Sequence, residues 1–259
     1  MSALRRPSPY AIAEAKKLLA ELRIEAPDEL DLEDVAAHLG AAVDKRELAG
    51  CDGRLLRSGG IALIVVNARA YESARWRFTI AHELGHLILH KNIDALKLCT
   101  ERDMNDYLGS GREPEANDFA AELLMPKSLF GARCDAIRRP SLHEVRKLAE
   151  LFATSLSATC IRFVECTAEP CAVVYTEGDR IKWWAKNNGF ALWIDRSDKL
   201  SPDTYAFDVA RGTPVADRMQ LTDGRAWCDE SRADDVELHE HSMALPALGA
   251  VMTLLWHPA

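Results

Sequence analysis

The run Thr79–His90 (Thr-Ile-Ala-His-Glu-Leu-Gly-His-Leu-Ile-Leu-His) holds two histidines and a glutamate whose types and spacing suit hydrolysis. It contains His-Glu-x-x-His. On a helix, His82 and His86 lie one turn apart on the same face, with Cβ atoms about 6 Å apart. That separation lets two imidazole nitrogens converge on one zinc ion at bonds of about 2.0–2.1 Å. Glu83 follows the first histidine directly, where its carboxylate can reach a water held by the ion.

A hydrolytic zinc takes three protein ligands and leaves the fourth position to water. His90 continues the four-residue spacing but is an unsuitable third ligand, because it stands about 12 Å along the axis of a straight helix from His82. The longer pattern with a third histidine also fails: Leu89 occupies its glycine position and Asn92 its histidine position. His90, His38 and His143 read instead as surface or packing histidines. A carboxylate from a second helix remains, and Glu113-Pro114-Glu115-Ala116-Asn117 offers two. Pro114 suits a first helical position, which puts Glu113 at the cap. From Glu113 a face of small residues continues through Ala116, Asn117 and Ala120. Glu115 shares its sector with Asp118 and Glu122, which reads as a wet face. Glu113 is therefore the preferred third ligand and Glu115 the alternative, or a support behind the ligands. Asn117, one turn on from Glu113, could orient a ligand by hydrogen bonding to its far nitrogen.

These residues need helices and a sheet to hold them. An amphipathic helix is expected over 10–22 and a short one after Asp31. Arg54–Arg57 and Ile61–Val66 form a hairpin turning at Ser58-Gly59-Gly60, its second strand central and buried. The motif helix follows over 72–90, then a polar loop over 100–112 and a second helix from Glu113 to Met125, stopped by Pro126. Ser141-Leu142-His143-Glu144 is a capping-box pattern that opens one helix, and another over 156–164 makes a possible helix-turn-helix. From about 170, alternating runs predict strands at 172–176, 180–185, 190–194, 205–209, 236–245 and 250–256. Five of the six tryptophans lie in this region and read as sheet and core residues rather than a base-stacking platform. The expected class is α+β, with a first domain over 1–130 that carries the candidate metal site, a helix-turn-helix-like segment over 131–167 and a mainly antiparallel β domain over 168–259. That last domain would serve sensing, substrate recognition or dimerisation.

Composition narrows the function classes. The 259 residues carry a net charge of −8, which disfavours non-specific nucleic-acid binding. No apolar run approaches the roughly 18 residues of a membrane span. The seven scattered cysteines contain no Cys-x-x-Cys pair and fit reduced thiols in the cytoplasm.

Two long stretches, 77–86 and 113–126, resemble the ImmA/IrrE metallopeptidases of bacteria and their mobile elements. The resemblance runs from about residue 10 to 165. It implies a gluzincin-like fold, zinc held by His82, His86 and Glu113, and Glu83 as the catalytic acid. It also implies proteolysis of a helix-turn-helix repressor, which derepresses a stress or mobile-element response. Radiation-response members carry a GAF-like C-terminal sensor, for which 168–259 is short. Manganese is a second metal that such ligands accept. A zinc-holding regulator that binds without cleaving, and a DNA-binding regulator acting through 141–164, are the alternatives.

Overall fold

A computed structural model of the chain describes residues 7–58, 60–70, 73–90, 98–99, 111–194, 199–228 and 236–258. Its described residues form two compact units, one of residues 7–129 with 150–155 and the other of 130–149 with 156–259. Both mix helix and sheet, so the class is α+β.

The first unit opens with α1 (Pro9–Glu21), which Ser8 caps by accepting the Ala11 N–H. The Ser8 N–H in turn donates to Asp118 at 2.7 Å. Asp31 caps α2 (Leu32–His38) by accepting the Glu33 and Asp34 N–H groups. The sheet then forms from β1 (Ala41–Arg46), β2 (Gly53–Ser58), β3 (Ile61–Asn67) and the short β4 (Leu98–Cys99), in the order β1-β3-β2-β4. The hairpin of β2 and β3 forms as expected, with Leu55 opposite Ile64. Ile64, Val65 and Val66 are all buried, which suits a strand with neighbours on both edges. Strand β1 pairs parallel to β3 and was not anticipated: Ala-Ala-Val-Asp-Lys-Arg lacks two-residue alternation.

Helix α3 (Ala74–Leu89) carries the motif and is capped by Ser73, whose hydroxyl accepts the Trp76 N–H at 3.2 Å. Helix α4 (Arg112–Leu124) packs along it. The α4 cap is Gly111 at φ 119°, so Glu113 sits inside the first turn rather than at the cap the sequence pointed to. The supposed wet face is also corrected. Glu122 is buried and accepts the Lys127 N–H, while Asp118 holds the start of α1. Of the loop expected over 100–112, residues 100–110 lie outside the described residues.

Helices α5 (Lys127–Asp135), α6 (Leu142–Phe152) and α7 (Leu156–Cys166) follow. The last two are the expected helix pair, joined through Ala153 at φ 50°. Ser141 accepts the Glu144 N–H, but the Glu144 carboxylate pairs with Lys147 at 2.7 Å, so only half of the capping box forms. The second sheet has the order β6-β5-β9-β8-β7, all antiparallel. Its strands are β5 (Cys171–Glu177), β6 (Arg180–Lys186), β7 (Gln220–Asp223), β8 (Glu237–Leu245) and β9 (Ala250–Trp256). Its core gathers Val174, Trp184, Phe190, Trp227, Leu238 and Leu255. Two expected strands do not form. Residues 190–194 contribute an isolated bridge from Ile194 to Cys228, and 205–209 belong to a helix, α8 (Tyr205–Ala210). Thr204 caps α8, and the buried Glu240 of β8 accepts the Ala206 N–H at 2.6 Å. That carboxylate also accepts from the Ser242 hydroxyl and the Trp227 indole N–H. Its hydrogen bonds offset the burial that pushes its pKa up. No helix among the described residues is long and apolar enough to cross a membrane.

Candidate metal centre

Helices α3 and α4 meet where their side chains are smallest. A Cβ added at Gly85 would stand 3.1 Å from the Ala116 Cα and 3.2 Å from Phe119 Cδ1, so glycine lets the two backbones close up. This brings the first turn of α4 beside the histidines of α3.

Three donor atoms converge there. His82 Nε2 and His86 Nε2 are 3.0 Å apart, His86 Nε2 is 3.1 Å from Glu113 Oε2, and His82 Nε2 is 3.3 Å from the same oxygen. Bonds of about 2.0–2.1 Å in a tetrahedron imply ligand separations of about 3.3 Å, so this triangle has the dimensions of three ligands on one zinc ion. The donor set, two imidazoles and one carboxylate, is also one that a divalent transition metal accepts. It is one of two groups of such residues among the described residues with donors this close together.

The electrostatics suit a cation. Burial holds the His86 pKa below its ordinary value, opposed by its hydrogen bond with Glu113, and so favours the neutral ring whose lone pair can bind a metal. Burial acts to raise Glu113, but its hydrogen bonds with His82 and His86, which need a ring proton where a cation would otherwise sit, outweigh it and hold the carboxyl well below the usual range. The donors are thus an ionised carboxylate and two imidazoles, of which the His82 ring is wholly buried.

Asn117 and Glu115 take different places. Asn117 Oδ1 lies 2.9 Å from His82 Nδ1, both groups buried. An amide oxygen only accepts, so His82 Nδ1 carries the proton and Nε2 is left bare toward the triangle. Glu115 is not in the triangle. Its Oε2 lies 3.1 Å from His90 Nε2, and His90 Nδ1 lies 2.9 Å from His86 Nδ1. His90, read from the sequence as a surface or packing residue, is therefore hydrogen bonded to a member of the triangle. The signal that could have found it is the same four-residue spacing that rules it out as a ligand, since i and i+4 side chains touch.

Glu83 is buried on α3 beside β2. A Cβ at Gly53 would lie 3.3 Å from Glu83 Oε1 and would collide with the Thr79 methyl, so the absence of a side chain on β2 makes room for this carboxylate. Arg57 of β2 clamps the end of α3. It donates to the His86 carbonyl at 2.8 Å, which also accepts the His90 N–H, and to the His90 carbonyl at 3.1 Å, beyond the last turn.

The other group of close donors, His143, Asp217 and His241, fits a metal poorly. The Leu142 N–H donates to His241 Nδ1 at 3.1 Å, so the neutral ring carries its proton on Nε2, where a metal would need a lone pair. That Nε2–H donates to Asp217 at 3.0 Å.

Comparison with known proteins points to metallopeptidases at the level of the family. Residues 36–164 match the IrrE N-terminal-like domain of Peptidase_M78. Over 228 residues the chain is 27% identical to the radiation response metalloprotease IrrE of Deinococcus deserti, spanning 82% of this chain and 75% of that protein. A Mycobacterium tuberculosis transcriptional regulator shares the fold at a TM-score of 0.62 and 14% identity, over 97% of this chain and 77% of that one. Its likeness speaks to fold alone. The chain belongs to the ImmA/IrrE family of metallopeptidases.

Proposed function

We propose that this protein is a zinc-dependent endopeptidase in which His82, His86 and Glu113 hold the metal and Glu83 is the catalytic carboxylate. The observation that carries this reading is the triangle of His82 Nε2, His86 Nε2 and Glu113 Oε2, whose edges of 3.0, 3.1 and 3.3 Å match ligand spacing on zinc. When bound, the cation supplies Lewis acidity, polarising a peptide carbonyl and lowering the pKa of water. Glu83 accepts the proton of the attacking water and returns it to the departing amine. Asn117 and the α3–α4 contact keep the histidines aimed. Manganese suits the same donors and is an alternative metal in the cell.

The substrate we infer is a cytoplasmic protein, a helix-turn-helix repressor whose cleavage releases a stress-response or mobile-element regulon. The radiation-response role for which the Deinococcus deserti relative is named supports this direction. Direct DNA binding through α6 and α7 is disfavoured. The one basic residue of α7, Arg162, is buried and paired with Glu165 at 3.2 Å, whereas reading a groove requires exposed donors.

The test incubates the purified protein and zinc with the repressor encoded nearest to it. Cleavage that disappears with chelator, and that Glu83→Gln lowers by about 10²–10⁴-fold while zinc stays bound, is the expected result. Co-purification of an intact repressor would make the protein a binder rather than a peptidase. Full-rate cleavage by Glu83→Gln would remove the role assigned to that carboxylate.

A further inference from the structure

We propose that His90 and Glu115 are positioning residues that set the tautomer of His86 and so determine whether its Nε2 is free to hold the metal. This rests on the metal site inferred above.

The argument is one of proton placement. His86 Nδ1 and His90 Nδ1 are 2.9 Å apart, and two neutral rings can share only one proton along that line. If His90 Nδ1 carried it, His86 would have to carry its own proton on Nε2. That proton would point into the triangle, between Glu113 Oε2 at 3.1 Å and His82 Nε2 at 3.0 Å, and stand where a cation must bind. His90 Nε2 would then be bare and would face the Glu115 oxygen at 3.1 Å, lone pair against carboxylate. If His86 Nδ1 carries the proton, both contacts along this chain of side chains are satisfied, and a cation in the triangle answers the bare Nε2 beside Glu113. His86 Nδ1–H donates to His90 Nδ1, His90 Nε2–H donates to Glu115, and His86 Nε2 is bare toward the metal position. Glu115 therefore selects the metal-ready form of His86 through an intervening ring.

The arrangement is held in place at both ends. The His90 side chain is only 9% exposed, and Arg57 donates to the carbonyls of both His86 and His90, fixing the turn that stacks one ring beside the other. The ring centroids are 5.1 Å apart. Each ligand histidine thus has a distinct partner on its far nitrogen: an amide oxygen on His82, and an imidazole backed by a carboxylate on His86. An anion behind the second ring also makes it a stronger electron donor, as carboxylate–histidine pairs do at metal sites.

The test measures zinc affinity of the full chain by competition with a chromophoric chelator, and records the visible absorption of the cobalt-substituted protein. Glu115→Ala and His90→Ala are each expected to weaken zinc binding by about 10–100-fold and to alter the cobalt bands. Glu115→Gln, whose amide oxygen still accepts from His90 Nε2–H, should stay within a few-fold of the parent. The double variant should bind about as weakly as His90→Ala alone, because both substitutions cut one chain of hydrogen bonds. Glu115 is partly exposed, so its variants report even if His90→Ala melts early. Affinities within about twofold of the parent in both alanine variants, or losses that simply add, would overturn the proposal while leaving the peptidase reading intact. A parent chain that binds no zinc would remove both.

Discussion

Each imidazole of the His82–His86 pair has two nitrogens, and what its Nδ1 touches decides which lone pair remains for a cation. At His82 that partner is Asn117, at 2.9 Å and fully buried. Asn117→Ala removes the oxygen that holds the Nδ1 proton in place there. We expect zinc affinity to fall about 10–100-fold with little change in melting of the metal-free chain, and Asn117→Asp, which keeps an acceptor oxygen, to restore most of it. A chelator competition on the three proteins checks this, and equal affinities would sink it. Much of this residue-level arrangement could be read from spacing. Helical geometry alone puts His82 and His86 on one face, and the face of small residues beyond Glu113 marks α4 as the neighbour. The contact of Asn117 with His82 follows from the same helical turn. The place of His90 takes two distances to read: the axial span from His82 rules out a shared metal, whereas the four-residue spacing from His86 marks the ring contact. Asp118 and Glu122 were misjudged because helix periodicity sorts faces without knowing which neighbours cover them.

At the scale of elements, two glycines set how closely α3 is gripped. Gly85 lets α4 approach, and Gly53 lets β2 run beneath Thr79 and Glu83. Gly85→Val would drive a branched side chain against the Ala116 backbone, whose Cα and carbonyl oxygen lie 3.1 and 3.2 Å from where a Cβ would sit. Backbone cannot swing aside as a flexible side chain can, so α3 and α4 must part. We expect about 1–3 kcal/mol of destabilisation. Zinc binding should weaken as well, because Glu113 rides on α4 and moves away from both histidines. Denaturant melts with and without zinc check both effects, and a variant of parental affinity would show that the helix spacing does not set the triangle. Elements with strong periodicity, α1, α3, α4 and the β2–β3 hairpin, were legible in the sequence. Strand β1 was not, since a parallel edge strand with charged residues at its end has neither a local turn nor alternation to mark it. Helix α8 was misread as a strand because Tyr-Ala-Phe-Asp-Val alternates in period two. Its helical form depends on Thr204 at the cap and on Glu240, a carboxylate brought from β8, accepting at its first turn.

At the scale of the whole chain, a net charge of −8 is spread over two units of unlike composition, and five of the six tryptophans lie in the unit built on β5–β9. Tryptophan fluorescence therefore reports chiefly on that unit, which contains the buried His241. This ring is bracketed on both nitrogens: Nδ1 accepts the Leu142 N–H at the start of α6, and Nε2–H donates to Asp217. A second proton would have to go on Nδ1, where it would oppose the Leu142 N–H. Burial lowers the pKa of His241. Asp217 opposes this, while His143 and Arg146, both facing it from α6, lower it further. Above the ordinary histidine pKa of about 6.5, folded and unfolded chains both carry the ring neutral and its contribution to stability is fully present. As pH falls below that value the unfolded chain takes up a proton that the fold resists, and stability is lost until the lower, folded-state pKa is passed. The pKa of Asp217 is also held down, first by its hydrogen bond with His241, but that acid is exposed and its loss belongs to pH below about 3.8. Through His241 the urea midpoint of the fluorescence transition should therefore drop between about pH 7.5 and about pH 5, while Glu240, whose pKa burial raises, acts in the opposite direction. His241→Gln, which can still accept the Leu142 N–H but has no proton to gain, should show a distinctly flatter dependence. If parent and variant lose stability in parallel over that range, the acid sensitivity of this unit lies in other groups and the His241 junction is inert.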